Sequence, residues 1–219
     1  MTDFSTLRQR MVDNQIRTSE VTDRAVLNAF LSVPREIFVE SEARPFAYAD
    51  AEIRMLPASD RRMMDPVRQA RLIQALPRGR DIDAMVIGCG SGYSVAILAP
   101  LVGSVVALEE DRALVELARG NLDTVGAQNV TVVQAALVEG YPAGGPYGAI
   151  LVDGAVEVMP PSLLSQLAPG GALVTIERNG GVSRAMRYER VGAETTKWPL
   201  FDASAPALPG FERRPEFAF

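Results

Sequence analysis

The chain of 219 residues contains no histidine and a single cysteine, Cys89. The first absence excludes Ser-His-Asp and Cys-His catalysis and His-ligated zinc or iron. The second excludes an internal disulfide and a thiolate metal cluster, and one free thiol fits a reducing cytosol. No metal site is expected, and any chemistry must proceed without imidazole. No apolar run approaches the roughly 20 residues that a membrane-spanning helix needs. The opening residues, Met1-Thr2-Asp3-Phe4-Ser5, lack the basic region and apolar segment of a secretory signal, so a cytoplasmic location is expected.

Net positive charge is missing as well. A formal charge of -5 and a pI near 4.9 argue against broad binding of nucleic-acid backbone. The distribution is uneven, with 13 basic against 11 acidic residues up to residue 80 and 9 against 16 beyond it. Between Arg61 and Arg80 six arginines accompany one acid, Asp65. That stretch reads either as a solvated helix face or as a surface that meets an anionic substrate. With 47% hydrophobic residues the chain can bury a full core. The expected organisation is one domain over 1–219, with an N-terminal helical extension over 1–80 and an α/β core and tail over 81–219.

What is present centres on residues 84–109. An apolar run, Ala84 to Ile87, meets Gly88-Cys89-Gly90-Ser91-Gly92 and then Tyr93 to Leu98, which reads as strand, tight glycine loop and helix. Glycines at alternate positions let the backbone take positive φ and bring N–H groups against a ligand at the positive end of the following helix. Residues 104–108 read as a second buried strand with Glu109 at its carboxyl end, placed to accept hydrogen bonds from the two hydroxyls of a ribose. A dinucleotide site wants a small residue at the sixth place of G-x-G-x-x-G/A, and bulky Tyr93 with Ser94 follows the third glycine here. The pattern favours S-adenosylmethionine over NAD. The alternative is that the glycines only make a tight turn between strand and helix.

Around this unit the remaining elements follow from caps and periodicity. Met11 and Ile16 suggest a short first helix. Thr22 or Asp23 caps a helix carrying Val26, Leu27, Phe30 and Leu31, which Pro34 ends. Asp65-Pro66 opens a helix as N-cap and first residue, with Val67, Ala70, Ile73 and Leu76 inward. Asp111 caps another with Leu114, Leu117, Ala118 and Leu122 inward, ending at Gly126. Strands are expected over 130–134, 149–152 and 172–176, with Asp153-Gly154 ending the second of these. A short helix starts at Pro160-Pro161-Ser162 and carries Leu163, Leu164 and Leu167. The alternation implies a mostly parallel sheet with helices on both faces, followed by a terminal antiparallel hairpin through 182–191 and 197–201. In the tail, Phe217 and Phe219 are expected to pack on the body.

Several words of the sequence resemble the protein-L-isoaspartate O-methyltransferase family over nearly the whole length. They are Met11-Val12-Asp13-Asn14-Gln15-Ile16, Val33-Pro34-Arg35-Glu36-Ile37-Phe38-Val39 and Ala47-Tyr48-Ala49-Asp50, followed in the family's order by the glycine loop, Ala107-Leu108-Glu109 and residues 166–174. The resemblance implies a Rossmann-like class I methyltransferase fold in which Gly88, Cys89, Gly90, Ser91, Gly92 and Glu109 hold S-adenosylmethionine. It implies methyl transfer to a carboxylate of damaged aspartyl residues in a protein or peptide. Three positions depart from the family's pattern. Met64 stands where the family has an active-site serine, and a thioether donates no hydrogen bond. Ala135-Ala136-Leu137 replaces Gly-Asp-Gly, whose acid meets the adenine, and Gly148 replaces an Asp. By position Ala136 and Asp153 join the cofactor-site candidates, Arg61, Arg62 and Met64 the acceptor side, and Asp65 and Asp153 are the candidate catalytic groups, with Asp65 read first as a helix cap and Asp153 also readable as a solvated turn residue. The alternatives are another acceptor, a small molecule or RNA, or a non-catalytic binding protein on the same fold.

Overall fold

A computed structural model describes residues 3–213 of the chain. Helix α1 (Phe4–Met11) is capped by Asp3, whose side chain accepts from the N–H groups of Ser5 and Thr6, and it continues into a π-helical turn over Val12–Ile16. Asp23, not Thr22, caps α2 (Arg24–Ser32). Val33 ahead of Pro34 then turns extended and ends that helix, as the ring of a following proline demands. Two short strands, β1 (Ile53–Arg54) and β2 (Arg62–Met63), pair antiparallel as a hairpin. Asp65 and Pro66 open α3 (Pro66–Gln74) as the sequence predicts.

The core is a seven-stranded sheet. Its strands are β3 (Gly79–Ile87), β4 (Val102–Glu109), β5 (Val130–Gln134), β6 (Tyr147–Val156), β7 (Leu167–Asn179), β8 (Val182–Val191) and β9 (Glu194–Asp202), in the order β5-β4-β3-β6-β7-β8-β9. The first five pair in parallel, while β7 with β8 and β8 with β9 are antiparallel. Helices α4 (Tyr93–Leu98) and α5 (Arg112–Thr124) complete the crossovers around β4. A single turn, α6 (Pro161–Leu164), links β6 to β7.

Alternate residues of the central strands feed opposite faces, as the pleat requires. Ala84 and Val86 join one apolar cluster with α2 to α5, whereas Met85 and Ile87 join a second with Leu163, Leu208 and Phe211. The second face is therefore covered by α6, short turns and the tail rather than by long helices. Strand order reverses direction at β3, between β4 and β6, and the crevice beyond the carboxyl ends of these strands is where open α/β sheets take ligands.

Two expectations are corrected. Asp153-Gly154 does not end its strand. β6 runs on to Val156 with a register shift between Leu151 and Ala155, so Asp153 lies in a bulge within the strand. The strand continues because Ala155 and Val156 pair with Ile176 and Glu177 of β7, and the tail adds to the other edge: Ala155 N–H donates to the Pro206 carbonyl (3.0 Å) and Leu208 N–H to the Ala155 carbonyl (2.9 Å). Leu167, grouped by sequence with the short helix, instead begins β7. The positions of Phe217 and Phe219 lie outside the described residues.

Candidate cofactor site

At the end of β3 the chain enters Gly88-Cys89-Gly90-Ser91-Gly92, and the three glycines take φ of +74°, +55° and +94°. Side-chain-bearing residues pay for this left-handed region, which is why the loop is glycine at every second place. The Gly88 and Cys89 N–H groups donate to the Leu108 carbonyl (2.9 and 3.1 Å), fastening the loop to β4. Gly90 N–H donates to Glu109 Oε2 (2.9 Å) and Ser91 N–H faces Met55 Sδ (3.2 Å). Gly92 N–H turns back to the Cys89 carbonyl (2.9 Å) and starts α4.

Glu109 is fully buried at the carboxyl end of β4. Arg61, from the hairpin, grips it with both arms of its guanidinium, Nη1 to Oε1 at 3.0 Å and Nη2 to Oε2 at 3.1 Å. Arg61 Nη2 also donates to the Gly88 carbonyl (3.1 Å). The N–H groups of Glu110 (3.0 Å) and Asp111 (3.3 Å) reach Oε1 as well. Burial, with the Glu109 charge beside it, raises the Cys89 thiol well above its ordinary pKa. That cysteine is a packing residue.

A cavity of about 370 Å³ opens beside this pair. Arg61, Arg62, Met64 and Asp153 all line it, together with Gly154 and Leu208. Arg62 is exposed and forms no salt bridge among the described residues, and Met64 presents a buried apolar wall. Asp153 is partly exposed, but its Oδ1 is out of solvent without a hydrogen-bond partner, as are the hydroxyls of Ser91 and Ser94. Its Oδ2 accepts from Gln69 Nε2 (3.3 Å). Burial pushes the Asp153 carboxyl up, against the pull of the Arg61 and Arg35 charges and the Gln69 amide.

The remaining predicted residues sit elsewhere. Asp65 caps α3, accepting from Arg68 N–H (3.0 Å), and is further held by the Arg68 guanidinium, so its carboxylate is spent on structure. Arg68 also binds Glu52 (2.9 Å) ahead of the hairpin and the Ser204 carbonyl in the tail. Ala136 is exposed beyond β5 and does not line the cavity.

Three groups escaped the sequence: Met55, Leu208 and the Arg35–Gln69 pair. Leu208 packs on Gly88 and Gly154, where a β-carbon on either glycine would meet its methyls. Only the prolines flanking Leu208 hinted that the tail is fixed, and nothing local marks Met55. Arg35 is fully buried and donates to the carbonyls of Ala47 (2.8 Å) and Met64 (2.7 Å).

The backbone frame fits an adenosyl cofactor: left-handed glycines at a strand end, with an acid on the neighbouring strand. The side chains do not fit it in this arrangement, since Arg61 occupies Glu109 and Met55 covers Ser91.

The profile of the family described as protein-L-isoaspartate(D-aspartate) O-methyltransferase matches residues 6–198. Relatives bearing the name protein-L-isoaspartate O-methyltransferase include one from Rhodopseudomonas palustris, 35% identical over 90% of this chain and 80% of its own. Another, from Methanoregula boonei, is 37% identical over 84% of this chain and 89% of its own. A solved structure of the same name superposes with a TM-score of 0.82 at 22% identity, over 95% of this chain and 66% of that one. A Plasmodium falciparum structure of that description, in complex with S-adenosyl-L-homocysteine, gives a TM-score of 0.76 at 20% identity over 95% and 99%. These two likenesses bear on fold, and the profile and the relatives on descent: the chain belongs to the protein-L-isoaspartate(D-aspartate) O-methyltransferase family.

Proposed function

We propose that the chain is an S-adenosylmethionine-dependent O-methyltransferase that esterifies a carboxylate of damaged aspartyl residues in proteins, as a step of protein repair. The observation that carries the reading is Glu109, a buried carboxylate at the end of β4 bonded through Gly90 N–H to a left-handed glycine loop. When bound, the cofactor would supply an electrophilic methyl group on its sulfonium sulfur, whose S–CH3 bond breaks to leave the neutral thioether as the carboxylate oxygen forms the ester bond. An acceptor carboxylate with a pKa near ~4 is already ionised at neutral pH, so no residue need remove a proton. A chain without histidine can therefore do this chemistry. Its task is to orient the two groups and exclude water. Arg62 is the exposed cation at the cavity and the first candidate to draw an anionic acceptor, with Arg61 behind it.

The acceptor is a protein or peptide, and the compartment we assign is the cytoplasm, to which the lone thiol is suited. Residues 1–80 and 81–219 act as one domain in this reading, which the bonds from Arg35 and Gln69 across to the sheet side support. The test is incubation of the full chain with S-adenosylmethionine and a peptide carrying isoaspartate, beside its aspartyl twin, followed by mass spectrometry. A methyl-ester gain on the isoaspartyl peptide alone is expected. No gain on either, at enzyme concentrations matching the peptide, would overturn the assignment.

Met64 favours a second reading. A buried thioether lines the cavity at the place where the resemblance expects a serine, so the wall offers no donor to a carboxylate. A chain that binds cofactor and leaves the isoaspartyl peptide untouched would point to another acceptor, or to a binding role without turnover.

A further inference from the structure

The acceptor capacity of Glu109 is already filled. A carboxylate offers about four lone-pair sites, and five N–H donors converge on this one: two from Arg61 and one each from Gly90, Glu110 and Asp111. Three of the five are backbone groups of the loop and strand end, fixed by the fold. The two from Arg61 come from a two-residue-strand hairpin outside the sheet. Two ribose hydroxyls seeking Glu109 would need the places that the two Arg61 donors hold.

The rest of the seat is filled in the same way. Met55, from the other side of that hairpin, puts its sulfur on Ser91 N–H, and a β-carbon at Gly90 would run into it. Leu208 of the tail lies on Gly88 and Gly154. Met55 and Leu208 are buried, and the Arg61 side chain is 14% exposed. Each of the three comes from a segment outside the seven-stranded sheet: Arg61 and Leu208 meet at Gly88, and Met55 covers Gly90 and Ser91.

We infer that Arg61, with Met55, is a latch: the chain holds its own cofactor seat shut, and an adenosyl ligand enters only when the hairpin of residues 53–63 withdraws both side chains from Glu109 and Ser91. This rests on reading the glycine loop as the cofactor seat. The apparent affinity for such a ligand is then the intrinsic affinity reduced by the fraction of molecules with the latch open. Loosening the latch raises the affinity while the ligand's own contacts stay in place.

The experiment is calorimetric titration of the full chain with S-adenosylhomocysteine, for the unaltered protein, for Arg61→Gln and for Met55→Ala, with circular dichroism confirming each fold. The expected result is binding by Arg61→Gln at least about tenfold tighter than by the unaltered chain, with Met55→Ala shifted the same way. Equal affinities for all three would overturn the latch and leave the cofactor reading standing. Weaker binding by Arg61→Gln would also overturn it, by making Arg61 part of the ligand's site. Absence of binding by all three at millimolar ligand would sink the latch and the cofactor reading together. Should Arg61→Gln fail to fold, because it leaves Glu109 buried without its cation, Met55→Ala keeps the ion pair and decides alone: an affinity no higher than the unaltered chain's then overturns the latch.

Discussion

The guanidinium of Arg35 lies over the ring of Tyr93, 4.6 Å from its centre, and so joins a turn of the N-terminal extension to the first residue of the helix that follows the glycine loop. Arg35 is fully buried, and its three donor contacts go to Ala47, Met64 and Gln69. Burial lowers its pKa from the usual arginine value, while the Tyr93, Asp65 and Asp153 side chains work against that. Replacing it by leucine would leave the Ala47 and Met64 carbonyls buried without donors. We expect Arg35→Leu to cost about 3 kcal/mol, read as a lower midpoint in urea denaturation. A loss below about 1 kcal/mol would mean that water reaches those carbonyls.

Asp153 is held in a bulge with one oxygen out of solvent, and burial raises its pKa above the ordinary carboxylate value of 3.8. A carboxyl with a raised folded pKa favours the native state while it is protonated. Stability falls as pH rises from the unfolded value through the folded one. Gln69 on α3, Ser94 on α4, and the charges of Arg61 and Arg35 face it. Asp153→Asn should therefore stabilise the protein at pH 7, with the gain shrinking as the pH is taken down toward about 4. Thermal midpoints of both proteins across that range measure it, and a gain that grows on acidification would contradict the assignment.

Asp23 behaves in the opposite sense. It caps α2 through the N–H groups of Ala25 (2.9 Å) and Val26 (3.0 Å) and pairs with Arg78 Nη2 (2.7 Å). The Val26 bond leads in lowering its pKa, with Arg78 adding to it. Its contribution is fully present above the unfolded value of 3.8 and is lost as pH falls through the depressed folded value. Asp23→Ala should cost about 1 to 2 kcal/mol at pH 7 and progressively less as the pH is lowered below 3.8, by denaturant titration at each pH.

Cys89 should be inert in the native protein. Its thiol is buried and its pKa is raised well above 9.0, so thiolate is scarce and access is poor. An aromatic disulfide reagent should react with one thiol per chain in denaturant and with almost none without it. Prompt reaction of the folded chain would place the glycine loop in solvent.

Local signals in the sequence sufficed for much of this fold. Asp65 before Pro66, Asp111 before a helical stripe and glycines at alternate places after a buried run each act within a few residues, and each stands where its local chemistry puts it. The bulge at Asp153 was not legible, because Asp-Gly reads as a turn until β7 pairs with Ala155 and Val156 and the tail, some 50 residues later, adds hydrogen bonds to Ala155. The Arg61–Glu109 pair was equally hidden. The sequence marks both residues, Arg61 for an acceptor and Glu109 for a ribose. Nothing in a linear pattern says that two opposite charges 48 positions apart meet each other. Caps and strand alternation are decided by neighbours in the chain, whereas the contents of a pocket are decided by which distant segments fold over it.

Arg68 gives the two coverings of the pocket a common hinge post. From one position on α3 it holds Glu52, at the root of the hairpin, and the Ser204 carbonyl, at the root of the tail. One side chain thus ties the roots of both coverings to a helix fixed by its own cap, in addition to the hold of Arg61 on Glu109 and of the tail on Ala155. A ligand that prises up one edge works against the fastening of the other.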